Sequence, residues 1–278
     1  MQLKALVKNK ADKIGIPSHF AMQTYMMERF LERISLSECK LKFVIKGGFL
    51  VSAMVGLDMR ATMDIDATII NASLTEESIK EIIDKVLEVK IDDNIKFTLK
   101  SINDIRKNDE YSGFRVSLEG GYPPIAQPLT VDITTGDKIT PREIEFMYPL
   151  TFEERNIPIL AYNIETLLAE KIETIISRGI STTRPRDFYD VYMLWKIERS
   201  KIDATTLNKA LTATCENRNS TDKISNWKNI FADIKTNSSL KSYWENYRSE
   251  FDYAKDIEFE ATCDVVEAIL NTLESEGS

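Results

Sequence analysis

The chain has 278 residues, of which 43% are hydrophobic and 29% charged, with a formal net charge of −8. That length suits one large or two ordinary domains with ample core. No apolar run is long enough to span a membrane, and the opening Met1-Gln2-Leu3-Lys4-Ala5-Leu6-Val7-Lys8 lacks the apolar core of a signal peptide, so a cytoplasmic protein with no membrane partner is expected.

Residues 1–38 read as helical, with methionine, leucine and aromatic residues at helical spacing through Phe20–Leu31. The methionines suit core filling better than metal ligation. Residues 41–45 form a short apolar strand that runs into Lys46-Gly47-Gly48, and Phe49–Leu57 reads as an apolar helix. Residues 62–70 alternate: Met63, Ile65 and Ala67 face a core, and Thr62, Asp64, Asp66 and Thr68 face away from it. Ser73–Val89 reads as a helix opened by a Ser73/Glu76 capping box. Residues 95–102 and 113–118 are two further strands, and a loop with Gly120-Gly121 and Pro123-Pro124 leads to a strand around Asp132. From about residue 150 the pattern is of long amphipathic helices with no clear strand. The expected class is α+β: a mixed sheet with flanking helices over residues 1–150, then a helical domain over 151–278, the two sharing one site.

The chemistry starts at the alternating strand. Asp64 and Asp66 lie on one face with Cα atoms roughly 7 Å apart, a spacing that suits a shared Mg²⁺, which takes oxygen ligands from carboxylates and substrate phosphates. The strand Leu129–Thr134 alternates too and sets Asp132 opposite Leu129, Val131 and Ile133. An aspartate amid β-branched residues works against strand propensity, as functional sites often do. Three carboxylates beside a glycine turn, whose N–H groups can approach phosphates, fit nucleotidyl transfer. With one histidine and three scattered cysteines (Cys39, Cys215, Cys263), neither a zinc site nor a disulfide framework is expected. A hard oxygen-seeking ion is, Mg²⁺ first and Mn²⁺ second.

In the helical half, Asn163 can cap a helix to about Arg178 whose apolar arc, Ile164, Leu167, Leu168, Ile172, Ile175 and Ile176, includes Lys171. That lysine either snorkels outward or is partly buried against a charge. A second helix opens at Arg184-Pro185-Arg186 with Asp187 and Asp190 on its apolar border, and Arg186–Asp190 can pair at i,i+4. Charge is uneven. Residues 245–278 hold ten acids and two bases, a difference of eight that accounts for the whole net charge, while residues 1–46 hold nine bases and four acids. This permits an RNA or triphosphate partner without requiring one. Each such charge is otherwise read as a solvated helix face, Arg29 among them.

Lys46-Gly47-Gly48, Arg60-x-Thr62-x-Asp64-Ile65-Asp66, Val131-Asp132-Ile133-Thr134-Thr135-Gly136-Asp137, Leu167-Leu168-Ala169-Glu170-Lys171 and Arg184-Pro185-Arg186-Asp187-Phe188-Tyr189-Asp190 occur in one order over roughly residues 40–195. Together they resemble the AbiEii/AbiGii toxin family of nucleotidyltransferases, within the DNA polymerase β-like superfamily. Where that superfamily has Gly-Ser, this chain has Gly47-Gly48 followed by Phe49, with Ser52 the next serine. The resemblance implies transfer of a nucleoside monophosphate from an NTP to an acceptor hydroxyl, with tRNA the first choice of acceptor. It implies metal ligation by Asp64, Asp66 and Asp132, and nucleotide binding by Lys46, Gly47, Gly48, Thr62 and Lys171. Asp187 would orient Lys171 or the acceptor. It further implies the toxin of a type IV toxin–antitoxin pair acting in abortive infection against phage, with a cognate antitoxin. A small-molecule nucleotidyltransferase of the antibiotic-modifying kind and a nucleotide-binding regulator without turnover are the alternatives.

Overall fold

The computed structural model describes residues 2–72, 75–105 and 113–276. The chain divides into two compact units, Met1–Gly136 with Glu143–Tyr162, and Asp137–Arg142 with Asn163–Ser278.

The first unit opens with two helices, α1 (Gln2–Ile14) and α2 (Ser18–Leu36). The helical stretch expected over residues 1–38 is made of these two helices, separated at Gly15-Ile16-Pro17, where Gly15 takes a positive φ and Pro17 precedes the first turn of α2. Then come β1 (Phe43–Lys46), α3 (Gly47–Val55), β2 (Asp64–Ile69), α4 (Glu76–Leu87), β3 (Lys96–Ile105), β4 (Gly113–Tyr122), β5 (Ile125–Thr134), β6 (Ile144–Pro149) and β7 (Asn156–Ala161). The seven strands form one sheet in the order β3-β4-β5-β2-β1-β7-β6. β2 runs parallel to β5 and β1 parallel to β7; the other neighbours are antiparallel. A mixed sheet with flanking helices is therefore confirmed.

Alternation assigns one sheet face to the core. Ile45, Ile65, Ala67, Val116, Leu118, Leu129, Val131 and Ile133 are all buried. α2 packs against this sheet: Phe30 meets Phe97 of β3 edge-on, with ring centroids 5.5 Å apart. α4 buries Ile79, Ile82, Ile83 and Val86, the i, i+3, i+4, i+7 stripe of an amphipathic helix. Burial of each such side chain contributes about 1.5–3 kcal/mol as an upper estimate.

Several expectations are corrected. The described start of α4 is capped by Thr75 and Ser78, whose hydroxyls bond reciprocally to each other's backbone N–H; the expected cap at Ser73 lies outside the described residues. α3 begins at the diglycine itself, two residues earlier than expected. Gly120-Gly121 belong to β4, so only Pro123-Pro124 turns the hairpin into β5. The helices expected from residue 151 begin at Ile164, and β6 and β7 precede them. β7 alternates in burial, with Ile157, Ile159 and Ala161 inside, but Pro158 and Leu160 stand between them, so the sequence shows no apolar–polar period there.

The second unit comprises α5 (Ile164–Arg178), α6 (Pro185–Glu198), α7 (Ala204–Asn217), α8 (Thr221–Ser225), α9 (Trp227–Thr236), α10 (Ser238–Glu250) and α11 (Phe259–Glu276). Asn163 caps α5, accepting from the Thr166 N–H at 2.8 Å, as expected. Trp244 is fully buried and donates its indole N–H to the Ile257 carbonyl at 2.9 Å. The acids that carry the net charge meet lysines of α9 and α10: Lys228–Glu274 at 2.7 Å, Lys235–Glu267 at 2.8 Å and Lys241–Glu260 at 2.6 Å. These exposed pairs are worth about 0–1 kcal/mol each, but they tie α11 to its neighbours.

The bases of α2 are not solvated. Arg33 grips Asp93 with two bonds of 2.8 and 2.9 Å. Arg29 is buried, pairing with Glu32 at 3.0 Å and Glu153 at 2.6 Å. Beside it Glu28 is fully buried; one oxygen accepts from the Thr151 N–H at 2.7 Å, and the other has no hydrogen-bond donor. Burial pushes its carboxyl up to about 7. An acid whose pKa is raised on folding binds more protons folded than unfolded, so its contribution to stability is present below about pH 4.5 and lost as pH rises to about 7. Glu28→Gln, which keeps the acceptor and removes the ionisation, should flatten that part of the profile. The check is urea unfolding of both proteins between pH 4.5 and 8, where Glu28 contributes a slope of up to about 1.4 kcal/mol per pH unit.

Candidate active site

Sheet register builds the site. Asp66 pairs in register with Asp132 across the parallel β2–β5 ladder, Lys46 pairs with Asp66 across β1–β2, and Arg115 pairs with Asp132 across β4–β5. The four lie in one row over adjacent strands, Lys46–Asp66–Asp132–Arg115, all on the face opposite the core. Asp64 stands two residues from Asp66 on that face. Adjacent strands are about 4.8 Å apart, so two carboxylates stand side by side with a cation on each flank, and like charges in such positions repel.

Each carboxylate has a partner. Arg115 forks onto Asp132, Nε to Oδ1 at 2.8 Å and Nη2 to Oδ2 at 2.7 Å. The fork, and then the fields of Asp132, Asp64 and Asp66, raise the arginine's pKa above its ordinary value. Asp66 Oδ2 accepts from the Gly48 N–H at 3.3 Å. That N–H belongs to the first turn of α3, where backbone donors have no partner within the helix and the dipole is positive. Lys46 is nearly buried, donates to Thr134 Oγ1 at 2.8 Å and lies 5.6 Å from the centre of the Tyr162 ring.

Gly47 has φ +63°, and a Cβ built on it would come within 2.1 Å of Asp66 Oδ2. No side chain fits there while Asp66 keeps its place. A Cβ on Gly48 would come within 2.8 Å of Arg60 Nη2 and 3.4 Å of Thr62 Oγ1. Arg60 is buried and also donates to the Ala61 carbonyl. Thr62 lies just ahead of β2, its hydroxyl 3.4 Å from the Asp64 carbonyl.

The donor set suits Mg²⁺ or Mn²⁺: hard carboxylate oxygens on one face, in register, beside backbone N–H groups that can receive phosphate. Among the described residues, no three ligating side chains are yet gathered tightly enough to hold an ion.

The second unit holds a separate charged cluster. Lys171 of α5 donates to Asp187 Oδ1 at 2.9 Å and pairs with Asp190 Oδ2 at 2.8 Å, while Arg184 Nε lies 2.9 Å from Asp187 Oδ2. Side-chain exposure is 10% for Lys171, 1% for Asp187 and 0% for Asp190. Lys171 therefore does not snorkel, and Asp190 pairs with it rather than with Arg186. Sequence reasoning missed Arg115 and the pairing of Asp190. The phase of Phe114, Val116 and Leu118 turns Arg115 to the site face, but only the hairpin register sets it beside Asp132.

A mixed sheet with two carboxylates on one strand and a third on its parallel neighbour, beside a helix opened by two glycines, fits a nucleotidyltransferase. Residues 29–268 match the sequence pattern of the nucleotidyl transferase AbiEii toxin family of type IV toxin–antitoxin systems. The chain belongs to that family. Two crystal structures share the fold. One, a Helicobacter pylori protein provisionally described as a nucleotidyltransferase, aligns over 94% of this chain and 97% of its own, at 13% identity and TM-score 0.51. The other, JHP933 from Helicobacter pylori, aligns over 94% of this chain and 96% of its own, at 14% identity and TM-score 0.52. No curated protein matches. No described helix is long and apolar enough to cross a membrane.

Two expectations follow. Gly47→Ala should cost about 1–2 kcal/mol for the left-handed backbone and displace Asp66, lowering turnover roughly a hundredfold; melting temperature and single-turnover rate check the two parts. Lys171→Met leaves two buried aspartates without their cation and should cost about 3–5 kcal/mol. Adding Asp187→Asn and Asp190→Asn should recover part of that loss in urea unfolding.

Proposed function

We propose that the protein transfers a nucleoside monophosphate from an NTP to a hydroxyl of an RNA acceptor, with tRNA the favoured class, and releases pyrophosphate. The observation that carries this reading is the row of carboxylates, Asp64, Asp66 and Asp132, set beside the N-terminus of α3. Asp64, Asp66 and Asp132 would hold Mg²⁺, with Mn²⁺ as a substitute. A divalent ion there supplies charge neutralisation at the triphosphate and at the attacking oxygen. The N–H groups of Gly47 and Gly48 receive phosphate oxygens, as the start of a helix does generally. Lys46 and Thr62 flank that cradle. Asp132 accepts the proton of the acceptor hydroxyl as it attacks. The family resemblance further assigns Lys171 to neutralising triphosphate charge and Asp187 to orienting that lysine. No covalent enzyme intermediate is needed, since positioning and charge suffice for phosphoryl-group chemistry.

In the cell the activity would be that of a growth-arresting toxin opposed by an antitoxin, with defence against phage as its setting. Family membership supports the toxin role. The chemistry is tested by incubating the protein with each labelled NTP, Mg²⁺ and total RNA. Label should enter RNA with release of pyrophosphate; transfer to small acceptors only would favour the antibiotic-type enzyme, and no pyrophosphate a regulator without turnover. Asp64→Asn and Asp66→Asn should each abolish labelling while leaving the melting temperature equal or higher, because removing one of several repelling carboxylates relieves the metal-free protein. In a bacterial host, induced expression should arrest growth with the wild type and not with either soluble mutant.

A further inference from the structure

Arg115 has no place in the chemistry above, yet it makes a two-point contact in the carboxylate row. Both oxygens of Asp132 are engaged by a planar two-point fork, at 2.8 and 2.7 Å, the geometry in which a guanidinium binds a carboxylate best. The contact follows from register, since Arg115 and Asp132 face each other across β4–β5. It is not a packing contact: the Arg115 side chain is 49% exposed and that of Asp132 19%. The other in-row cation, Lys46, is nearly buried and donates to Thr134. Arg115 is thus the half-exposed cation of that row, able to move without disturbing the core.

We infer that Arg115 is the resident counter-ion of the carboxylate row, holding Asp132 in the metal-free protein and yielding that carboxylate when a divalent ion binds. The inference rests on the metal reading given above. Three carboxylates on two adjacent strands repel one another, and a cation beside them relieves that repulsion. The fork takes up the pair of oxygens through which Asp132 would join Asp64 and Asp66. Metal and guanidinium therefore compete for one carboxylate and one region of negative field. The alternative, that Arg115 orients Asp132 for the metal, makes the opposite prediction for affinity.

The test is a Mn²⁺ titration followed by electron paramagnetic resonance, which counts free ion without requiring turnover. Wild type, Arg115→Gln, Arg115→Lys and Asp64→Asn are compared in low salt. Removing one positive charge a few ångströms from a partly hydrated ion should tighten binding roughly fivefold to tenfold in Arg115→Gln, and the gain should shrink in high salt. Arg115→Lys keeps the charge but not the fork and should fall between Arg115→Gln and wild type; it also carries the test if the glutamine variant does not fold. The rise in melting temperature on adding Mn²⁺ should be larger for Arg115→Gln than for wild type. Equal or weaker Mn²⁺ binding by both arginine variants overturns the inference. Absence of Mn²⁺ binding by the wild type, or undiminished binding by Asp64→Asn, would instead overturn the metal reading on which it depends.

Discussion

The register of four adjacent strands is the constraint on which the site depends. Once β2 lies parallel to β5 with Asp66 against Asp132, the antiparallel neighbours β1 and β4 bring Lys46 and Arg115 to the ends of the same row. A slip of one residue in any of these ladders would send an aspartate into the core and an isoleucine or valine to the site. The buried residues Ile65, Ala67, Val131 and Ile133 forbid that slip. The hydrophobic face therefore fixes the polar one. Two anions stay together on the sheet because two cations and a helix N-terminus share their field.

The same logic appears at the start of α3. The chain must turn from β1 straight into a helix whose first N–H groups face Asp66, and Gly47 makes that turn in the left-handed region with no room for a side chain. The helix dipole, the Gly48 N–H and the Asp66 carboxylate form one electrostatic unit.

The second unit solves a harder problem. Lys171, Asp187 and Asp190 are all nearly or fully buried, with Arg184 at the margin. Burying such charges is costly unless each is paired. The lysine meets two acids and the arginine returns a positive charge, so the cluster is close to neutral. A buried cluster of this kind, in which Lys171 meets both aspartates, fixes how α5 and α6 face one another, beyond what apolar packing alone specifies.

Sequence alone carried the class and the parts list. Period-2 alternation separated Asp64, Asp66 and Asp132 from the core, the cap at Asn163 and the proline at the start of α6 marked two helices, and the ordered motifs pointed to the family. These are short-range signals, written in residues a few positions apart. The tertiary structure decided what depends on distant partners: that Arg115 forks onto Asp132, that Asp190 shares Lys171 with Asp187, that Arg29 and Arg33 are buried, and that residues 144–161 add two strands. Nothing in a local window distinguishes a solvated arginine from one gripping an aspartate sixty residues away, as Arg33 does with Asp93. Side-chain pairing across a sheet is set by register, and register is set by burial of the opposite face. That is a property of the assembled sheet and not of any one strand.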